Sequence, residues 1–361
     1  MKIALITDSH WGIRNDNNIF LDNSKLFLDN IFFPYLDSNN IKTVIHGGDI
    51  VDRRKYININ TAKRLREDFL TPLSERDLDV HIIAGNHDTY FKNTNDVNAI
   101  QEIIKGSYPK FKIYDKFAES VDFGGTSILL IPWICADNRE QVLNEIKSTK
   151  SQIAIGHLEI QGFEMYKGSI VSHGDDRSIF DKFDMVFSGH FHHRSTDGHI
   201  FYLGSHGEFT WSDYNDPRGF HIFDTETREI KFIENPYKIF KKVWYNDSDE
   251  NFLQTKVDYS QFKNSIVKVI VTNKTNHFWF DKFIENIESE NPYQIQIVED
   301  HLNLNLEEDE DIVNEAESTL DIFKKYIDGY EVKHIDKNKL SNKITELYNE
   351  AISLEWFILK K

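Results

Sequence analysis

Six short apolar runs punctuate the N-terminal half of this chain: Ile3-Ala-Leu-Ile6, Thr43-Val-Ile45, Val80-His-Ile-Ile83, Ser127-Ile-Leu-Leu-Ile131, Ile153-Ala-Ile155 and Met185-Val-Phe187. Five of them lead into turns rich in Gly, Asp, Asn and His: Asp8-Ser9-His10, Gly48-Asp49, Gly85-Asn86-His87-Asp88, Gly156-His157 and Gly189-His190-Phe191-His192. Helix-like stretches fall at about Asn23 to Ser38, Ile59 to Arg76, Asn98 to Lys105 and Asn138 to Thr149. Alternation of this kind predicts an α/β sandwich with much parallel or mixed sheet, flanked by helices. After Gly189 the pattern turns to strands without helices, at Ile200 to Leu203, Gly219 to Phe223 and Glu229 to Ile233. These are expected to form a second sheet packed on the first.

Asn235-Pro236 marks a boundary, although the next strand-like stretch is open to continuing the core sheet. Ser265 to Thr272, Phe278 to Glu288 and Tyr293 to Val298 then read as strand, helix and strand, enough for a small α+β domain. Two helices close the chain. Ile312 to Asp328 carries Ala316, Leu320, Phe323 and Ile327 on one face and stops at Gly329; Leu340, Ile344, Leu347, Ala351, Leu354 and Ile358 form a narrow seam. The two either pair as a hairpin or dock on a partner helix, and both can hold. The expected division is 1–235, 236–300, an acidic linker 301–311 and a helical segment 312–361.

The turn residues are metal-binding types. At the end of a strand, residues i and i+2 project to the same side, so Asp8 with His10, and His190 with His192, are placed to share an ion. The carboxylate of Asp49 suits a bridging ligand, Asn86 offers an amide oxygen and His157 an imidazole. Hard oxygen mixed with imidazole, and no thiolate, favours manganese, iron or zinc over magnesium or calcium. Two divalent ions are expected, manganese first and magnesium as the alternative. Such a pair can hold a bridging hydroxide and clamp a phosphate for in-line attack. His87, beside Asn86, is then the candidate acid for the leaving oxygen, with Asp52 placed to orient and charge its imidazole.

Other residues carry two readings each. Asp88 reads as a cap for the next turn. Arg53 and Arg54 either contact phosphates or cover the surface. His193, His206, Trp11 and Trp211 either line a nucleic-acid groove or belong to core and surface, while His46, His81, His199 and His221 read as structural. The net charge of -17 argues against a nucleic-acid partner. However, Ile284 to Ser318 holds a dozen carboxylates and no Lys or Arg, so much of the excess sits in one stretch that reads as a solvated connector. Bound dications would still leave the site itself positive. The single Cys135 excludes an internal disulfide and points to a reducing, cytoplasmic setting. The opening run Met1 to Thr7 is too short for a signal peptide or membrane span.

Taken in order, Asp8-x-His10, Gly48-Asp49-x-x-Asp52, Gly85-Asn86-His87-Asp88, Gly156-His157 and Gly189-His190-x-His192 resemble the calcineurin-like metallophosphoesterases. Asp8-Ser-His-Trp-Gly12, Ile131-Pro-Trp133 and the stretch from Tyr202-Leu-Gly204 to Asp216-Pro-Arg-Gly-Phe220 narrow the resemblance to the SbcD (Mre-eleven) DNA repair nucleases. Within these, it is nearest the recombination exonuclease subunits of large tailed phages. The resemblance implies a two-sheet metallophosphoesterase sandwich with a capping domain that contacts DNA and C-terminal helices that dock on an SbcC-type coiled-coil ATPase. It implies one metal site from Asp8, His10, Asp49 and His192 and a second from Asp49, Asn86, His157 and His190. His87 would be proton donor, supported by Asp52 where many relatives carry histidine. The activity implied is manganese-dependent 3′-to-5′ exonuclease on duplex DNA and endonuclease on single strands, by a homodimer in a recombination and repair complex in the cytoplasm, of a host cell if phage-encoded. His206 replaces a proline frequent in relatives, with DNA contact as one reading of it. The alternatives are a phosphatase or cyclic-nucleotide phosphodiesterase on the same scaffold, or an assembly subunit without chemistry.

Overall fold

The computed structural model describes residues 1–249, 257–299 and Lys343. The acidic linker 301–311 and the two helices expected within 312–361 lie outside the described residues, Lys343 aside.

The apolar runs form strands. In chain order these are β1 (Lys2–Ile6), β2 (Thr43–His46), β3 (Asp79–Ile83), β4 (Phe111–Tyr114), β5 (Glu119–Phe123), β6 (Thr126–Ile131) and β7 (Ile153–His157). A small hairpin of β8 (Glu164–Tyr166) and β9 (Ser169–Ile170) precedes β10 (Met185–Gly189), β11 (Ser195–Thr196), β12 (Ile200–Tyr202), β13 (Gly219–Asp224) and β14 (Ile230–Glu234). Two six-stranded mixed sheets result, ordered β14-β13-β1-β2-β3-β4 and β11-β12-β10-β7-β6-β5. In the first, β1 to β4 run parallel; in the second, β6, β7, β10 and β12 do.

Period-two alternation explains why the runs look uniformly apolar. Ile3, Leu5, Ile45 and Ile83 from the first sheet cluster with Ile128, Leu130, Ile153, Ile155 and Phe187 from the second, between the sheets. Their neighbours Ala4, Ile6, Val44, Val80 and Ile82 face the outer helices instead, against Phe27, Phe32, Leu65 and Phe69. Leu129, Ile131, Ala154 and Val186 do the same on the other side, against Val142 and Ile146. Strands covered on both faces have no polar side to show.

The second sheet is built differently from expectation. Its centre is β6, β7 and β10, from before Gly189, joined by β12 and the short β11. The later strands β13 and β14 return to the first sheet, where β13 pairs antiparallel with β1, Ala4 opposite Ile222. Antiparallel pairing needs no helical crossover, so the loss of helices after Gly189 marked the return to an edge and not a new sheet.

The first helical stretch begins earlier than Asn23, at Asn18, because the Asn17 side chain caps it by accepting from the Ile19 N–H at 3.0 Å. It and the stretch from Ile59 each contain one wide turn, Leu28–Phe32 and Leu65–Leu70. Both wide turns end just before a proline, Phe33-Pro34 and Thr71-Pro72. Proline cannot make the i to i−4 bond, and the residue before it bonds one carbonyl further back, Phe33 to Leu28 and Thr71 to Arg66.

Beyond Asn235, the strand β15 (Phe240–Asn246) does not continue the core sheet. It pairs in parallel with β16 (Ile266–Asn273), which pairs in parallel with β17 (Gln294–Glu299), and the helix His277–Glu288 connects the last two. Tyr245, Val267, Val269 and Val271 pack under Phe280, Phe283 and Ile287 of that helix as a core of their own. Among the described residues no helix is long and apolar enough to cross a membrane.

Candidate metal centre

The five turns open at the C-terminal ends of parallel strands. Those after β1, β2 and β3 bring Asp8, His10, Asp49, Asn86 and His87 from the first sheet. The last residue of β7 is His157, and His190 follows β10 directly. Two ties join the sheets at this point: the Asp8 carboxylate accepts from the His190 N–H at 3.1 and 3.2 Å, and the Gly47 carbonyl accepts from His157 Nδ1 at 2.9 Å. A carbonyl can only accept, so His157 carries a hydrogen on Nδ1 and turns Nε2 toward the site.

The side chains gather into overlapping groups: Asp8, His10 and His192; Asp49, His157 and His190; and His10, Asp52 and His87. Asp49 Oδ2 stands between the first two, 3.7 Å from His10 Nε2 and 3.2 Å from His157 Nε2. Asn86 Oδ1 lies 3.0 Å from His157 Nε2 and 2.9 Å from His190 Nδ1, while His10 Nε2 and His192 Nε2 are 2.9 Å apart. Donor atoms around one ion at about 2.1 Å stand about 3.0–3.4 Å apart in octahedral or tetrahedral arrangements. Two imidazole nitrogens converging at 2.9 Å, with a shared carboxylate oxygen between two such groups, fit a pair of cations.

His190 and His192 fall in different groups, not together as strand alternation predicted. They have left the strand, His190 at φ 85°, and the turn sends them to different groups. Asp8, His10 and Asp49 also hold positive φ, at 50°, 42° and 54°, conformations costing on the order of 1 kcal/mol each and concentrated at functional sites. Glycine makes the crowding tolerable. A Cβ on Gly48, itself at φ 104°, would lie 2.4 Å from His157 Nδ1, and one on Gly85 would lie 2.1 Å from Asp49 Oδ1.

Charge follows from burial. Burial works against the Asp49 charge, but His157, His87 and His10 hold its carboxyl well below the usual range. Burial pushes Asp8 up, against the pull of His157. His10 and His157 would be neutral on burial alone, yet Asp52 and Asp49 raise His10, and Asp49 and Asp8 raise His157, each to about 9. Burial lowers His190 and, further, His192. Protons on His10 and His157 thus supply the positive charge that the carboxylates demand, and a divalent ion would displace them.

Asp52 groups with both His10 and His87, whereas Asp88 does not cap as expected. The Asp52 carboxylate lies 3.3 Å from His10 Nδ1, and it is the Asp52 backbone carbonyl that accepts from His87 Nδ1, at 2.5 Å. Any proton His87 exchanges with a substrate must therefore move at Nε2. Asp88 is fully buried and caps no following turn: it accepts the N–H groups of Asp49, Ile50, Val51 and Gly85 at 2.8–3.1 Å. Burial and Asp49 raise it to about 7 against the pull of those N–H groups.

The candidate DNA contacts separate. Arg53 pairs with Asp16 at 2.9 Å beside Tyr56, and Arg54 donates to Thr89 Oγ1 at 3.1 Å. His206 is buried, bonded through Nε2 to Ser24 Oγ at 3.0 Å and packed on Phe27 and Phe209, so it cannot reach DNA from that position. Trp11 is likewise core, stacked on Phe69. Trp211 packs on Phe240 of β15 with Lys268 over its ring, and His193 bonds Asp216 at 2.9 Å. Sequence reading missed the buried Arg218, which pairs with Asp213 at 2.7 Å and Asp216 at 2.8 Å and so fixes the loop behind His192 and His193. The Asp-Pro-Arg-Gly run was its only signal.

Residues 1–194 match the family of calcineurin-like phosphoesterases. The chain is 34% identical over 359 residues to exonuclease subunit 1 of Enterobacteria phage T4, covering 97% of this chain and 99% of that protein. It is 23% identical over 318 residues to the SbcD component of the SbcCD nuclease of Staphylococcus epidermidis, covering 78% of each.

Proposed function

The chain belongs to the calcineurin-like phosphoesterase family, a metal-dependent phosphodiesterase by that membership, and we propose that its substrate is DNA. In this reading it is the nuclease subunit of an SbcCD-like recombination and repair complex, a 3′-to-5′ exonuclease on duplex DNA and an endonuclease on single strands. What carries the reading is the convergence of Asp49 with imidazoles from both sheets, in a chain alignable nearly end to end with an exonuclease subunit.

Asp8, His10, Asp49 and His192 would hold one divalent ion and Asp49, Asn86, His157 and His190 the other, manganese by preference. Such ions supply charge that binds the phosphate and activates water. The chain's own residues do the rest. The Gly47 carbonyl and the Asp52 carboxylate orient His157 and His10, and Asp88 holds the Asp49 turn. His87, its Nδ1 hydrogen committed to the Asp52 carbonyl, gives a proton from Nε2 to the leaving oxygen. Residues 1–235 form the nuclease domain and 236–300 a capping domain that contacts DNA. The stretch 301–311 links them to 312–361, which docks an SbcC-type coiled-coil ATPase, in an assembly built on a homodimer.

End-labelled duplex DNA tests the reading. The protein with Mn²⁺ is expected to shorten it from the 3′ end, and His87→Ala to retain both metals while losing about 10²- to 10⁴-fold in rate. Full activity in that variant would remove His87 from the acid role. Turnover of small phosphomonoesters or cyclic nucleotides far above that of DNA would replace the DNA reading with the phosphatase or phosphodiesterase one.

A further inference from the structure

Beside the second group of ligands lies a cavity of about 250 Å³ that the chemistry above leaves unused. His157 lines both it and the metal centre. Its other walls include the indole of Trp133 and the apolar side chains of Ile134 and Leu158, with Arg139 and Glu159 at the polar side. The Trp133 ring centroid is 5.1 Å from that of His190 and 6.1 Å from that of His157. An aromatic face therefore adjoins the point where a phosphate would be held.

The loop that carries the indole is held firmly. The Trp133 backbone N–H donates to the Ala84 carbonyl at 2.8 Å, and its own carbonyl accepts from Asn95 at 2.9 Å and Asn138 at 3.0 Å. Asn95 and Asn138 are both buried, and Asn138 also accepts from the Cys135 N–H at 2.9 Å. Buried amides committed to a loop carbonyl preorganise the loop, whereas Trp133 itself keeps a partly open face. Opposite, Arg139 is ion-paired with Asp175, and Asp175 donates its N–H to the Glu159 carbonyl at 2.7 Å.

We propose that this cavity takes the base of a nucleotide flanking the scissile phosphate, stacked on Trp133. The inference rests on the nuclease reading, because a stacking platform one ring away from the phosphate site has the reach of a nucleoside. Stacking on an aromatic side chain tolerates every base and strengthens binding by about 10- to 100-fold, which suits an enzyme that degrades without regard to sequence.

The test uses duplex oligonucleotides with a tetrahydrofuran abasic residue at the terminal or the penultimate position of the cleaved strand. The unmodified protein with Mn²⁺ is expected to show a KM about 10- to 100-fold higher for one of these two substrates, with kcat little changed. Trp133→Ala should show the same penalty on intact DNA and no added one on the abasic substrate, and Trp133→Phe should recover most of the loss. A binding readout without turnover replaces Mn²⁺ with Ca²⁺ and the missing base with 2-aminopurine. Its fluorescence should be quenched by the unmodified protein and Trp133→Phe but not by Trp133→Ala. Equal KM for intact and abasic DNA at both positions, or equal quenching by all three proteins, overturns the subsite and leaves the nuclease reading standing. No manganese-dependent cleavage of intact DNA by the unmodified protein overturns both.

Discussion

Asp88→Asn separates a turn cap from a strut under the metal centre. Each Asp88 oxygen accepts two backbone N–H groups, Oδ1 from Ile50 and Val51 and Oδ2 from Asp49 and Gly85. Asparagine keeps one oxygen and turns an NH2 group toward the other two donors, so two bonds are lost and two buried N–H groups face a donor. Bonds to a charged acceptor contribute about 1.5–3 kcal/mol each. Burial and the nearby Asp49, which raise Asp88 to about 7, return part of that when the charge is removed. A net loss of about 2–4 kcal/mol follows, lowering Tm by roughly 5–10 °C for a domain of this size. The same loosening frees the Asp49 turn, and lost outer-shell support for a ligand typically costs about 10- to 100-fold in metal affinity. Thermal unfolding in EDTA measures the first and calorimetric titration with Mn²⁺ the second. A Tm within about 2 °C of the unmodified protein, with unchanged manganese affinity, would refute the strut.

Three further outcomes follow from other features. Gly48→Ala drives a Cβ into His157 and should abolish binding at the second ion, seen as manganese stoichiometry falling from two to one. Burial holds His206 and His221 at about 3 in the fold against about 6.5 unfolded. The unfolded chain therefore takes up protons that the fold refuses; stability is intact above about pH 7 and falls as pH drops from about 6.5 toward 3, by about 1.4 kcal/mol per pH unit per histidine. Relative to the unmodified protein, His221→Phe should gain about 2 kcal/mol between pH 7 and pH 5 in urea titrations; an unchanged difference would remove His221 from the acid response. Deleting Asn338 to Lys361 should abolish association with the ATPase, measured by co-purification, and leave manganese-dependent cleavage of short DNA intact; loss of both would assign that segment to folding.

Much of this was legible because the strands are covered on both faces and their turns carry polar residues of few types. Ile3 to Ile6 and Ile153 to Ile155 announce themselves by having no polar side. What stayed hidden depends on partners distant in sequence. Asp88 looks like a local cap until Asp49, Ile50 and Val51, 37 to 39 residues earlier, are seen to donate to it. Nothing in the spacing of β13 says that it returns to β1 across more than two hundred residues. The alternation rule failed at His190 because it applies only while the backbone stays extended, and a φ of 85° ends that. Trp133 is visible in sequence as part of Ile131-Pro-Trp133, but the cavity beside it is made by residues near 158 and 174.

The ties from Asp8 to His190 and from Gly47 to His157 have a consequence in time. Synthesis delivers the chain from its N-terminus, and the ligands from the first sheet are complete at Asn86 while those from the second wait for His192. An emerging chain thus carries half a centre, the carboxylates with His10 but without the imidazoles of the second sheet, until more than half of it has been made. The full set of candidate ligands arrives late, so a product terminated before His157 lacks every imidazole of the second sheet.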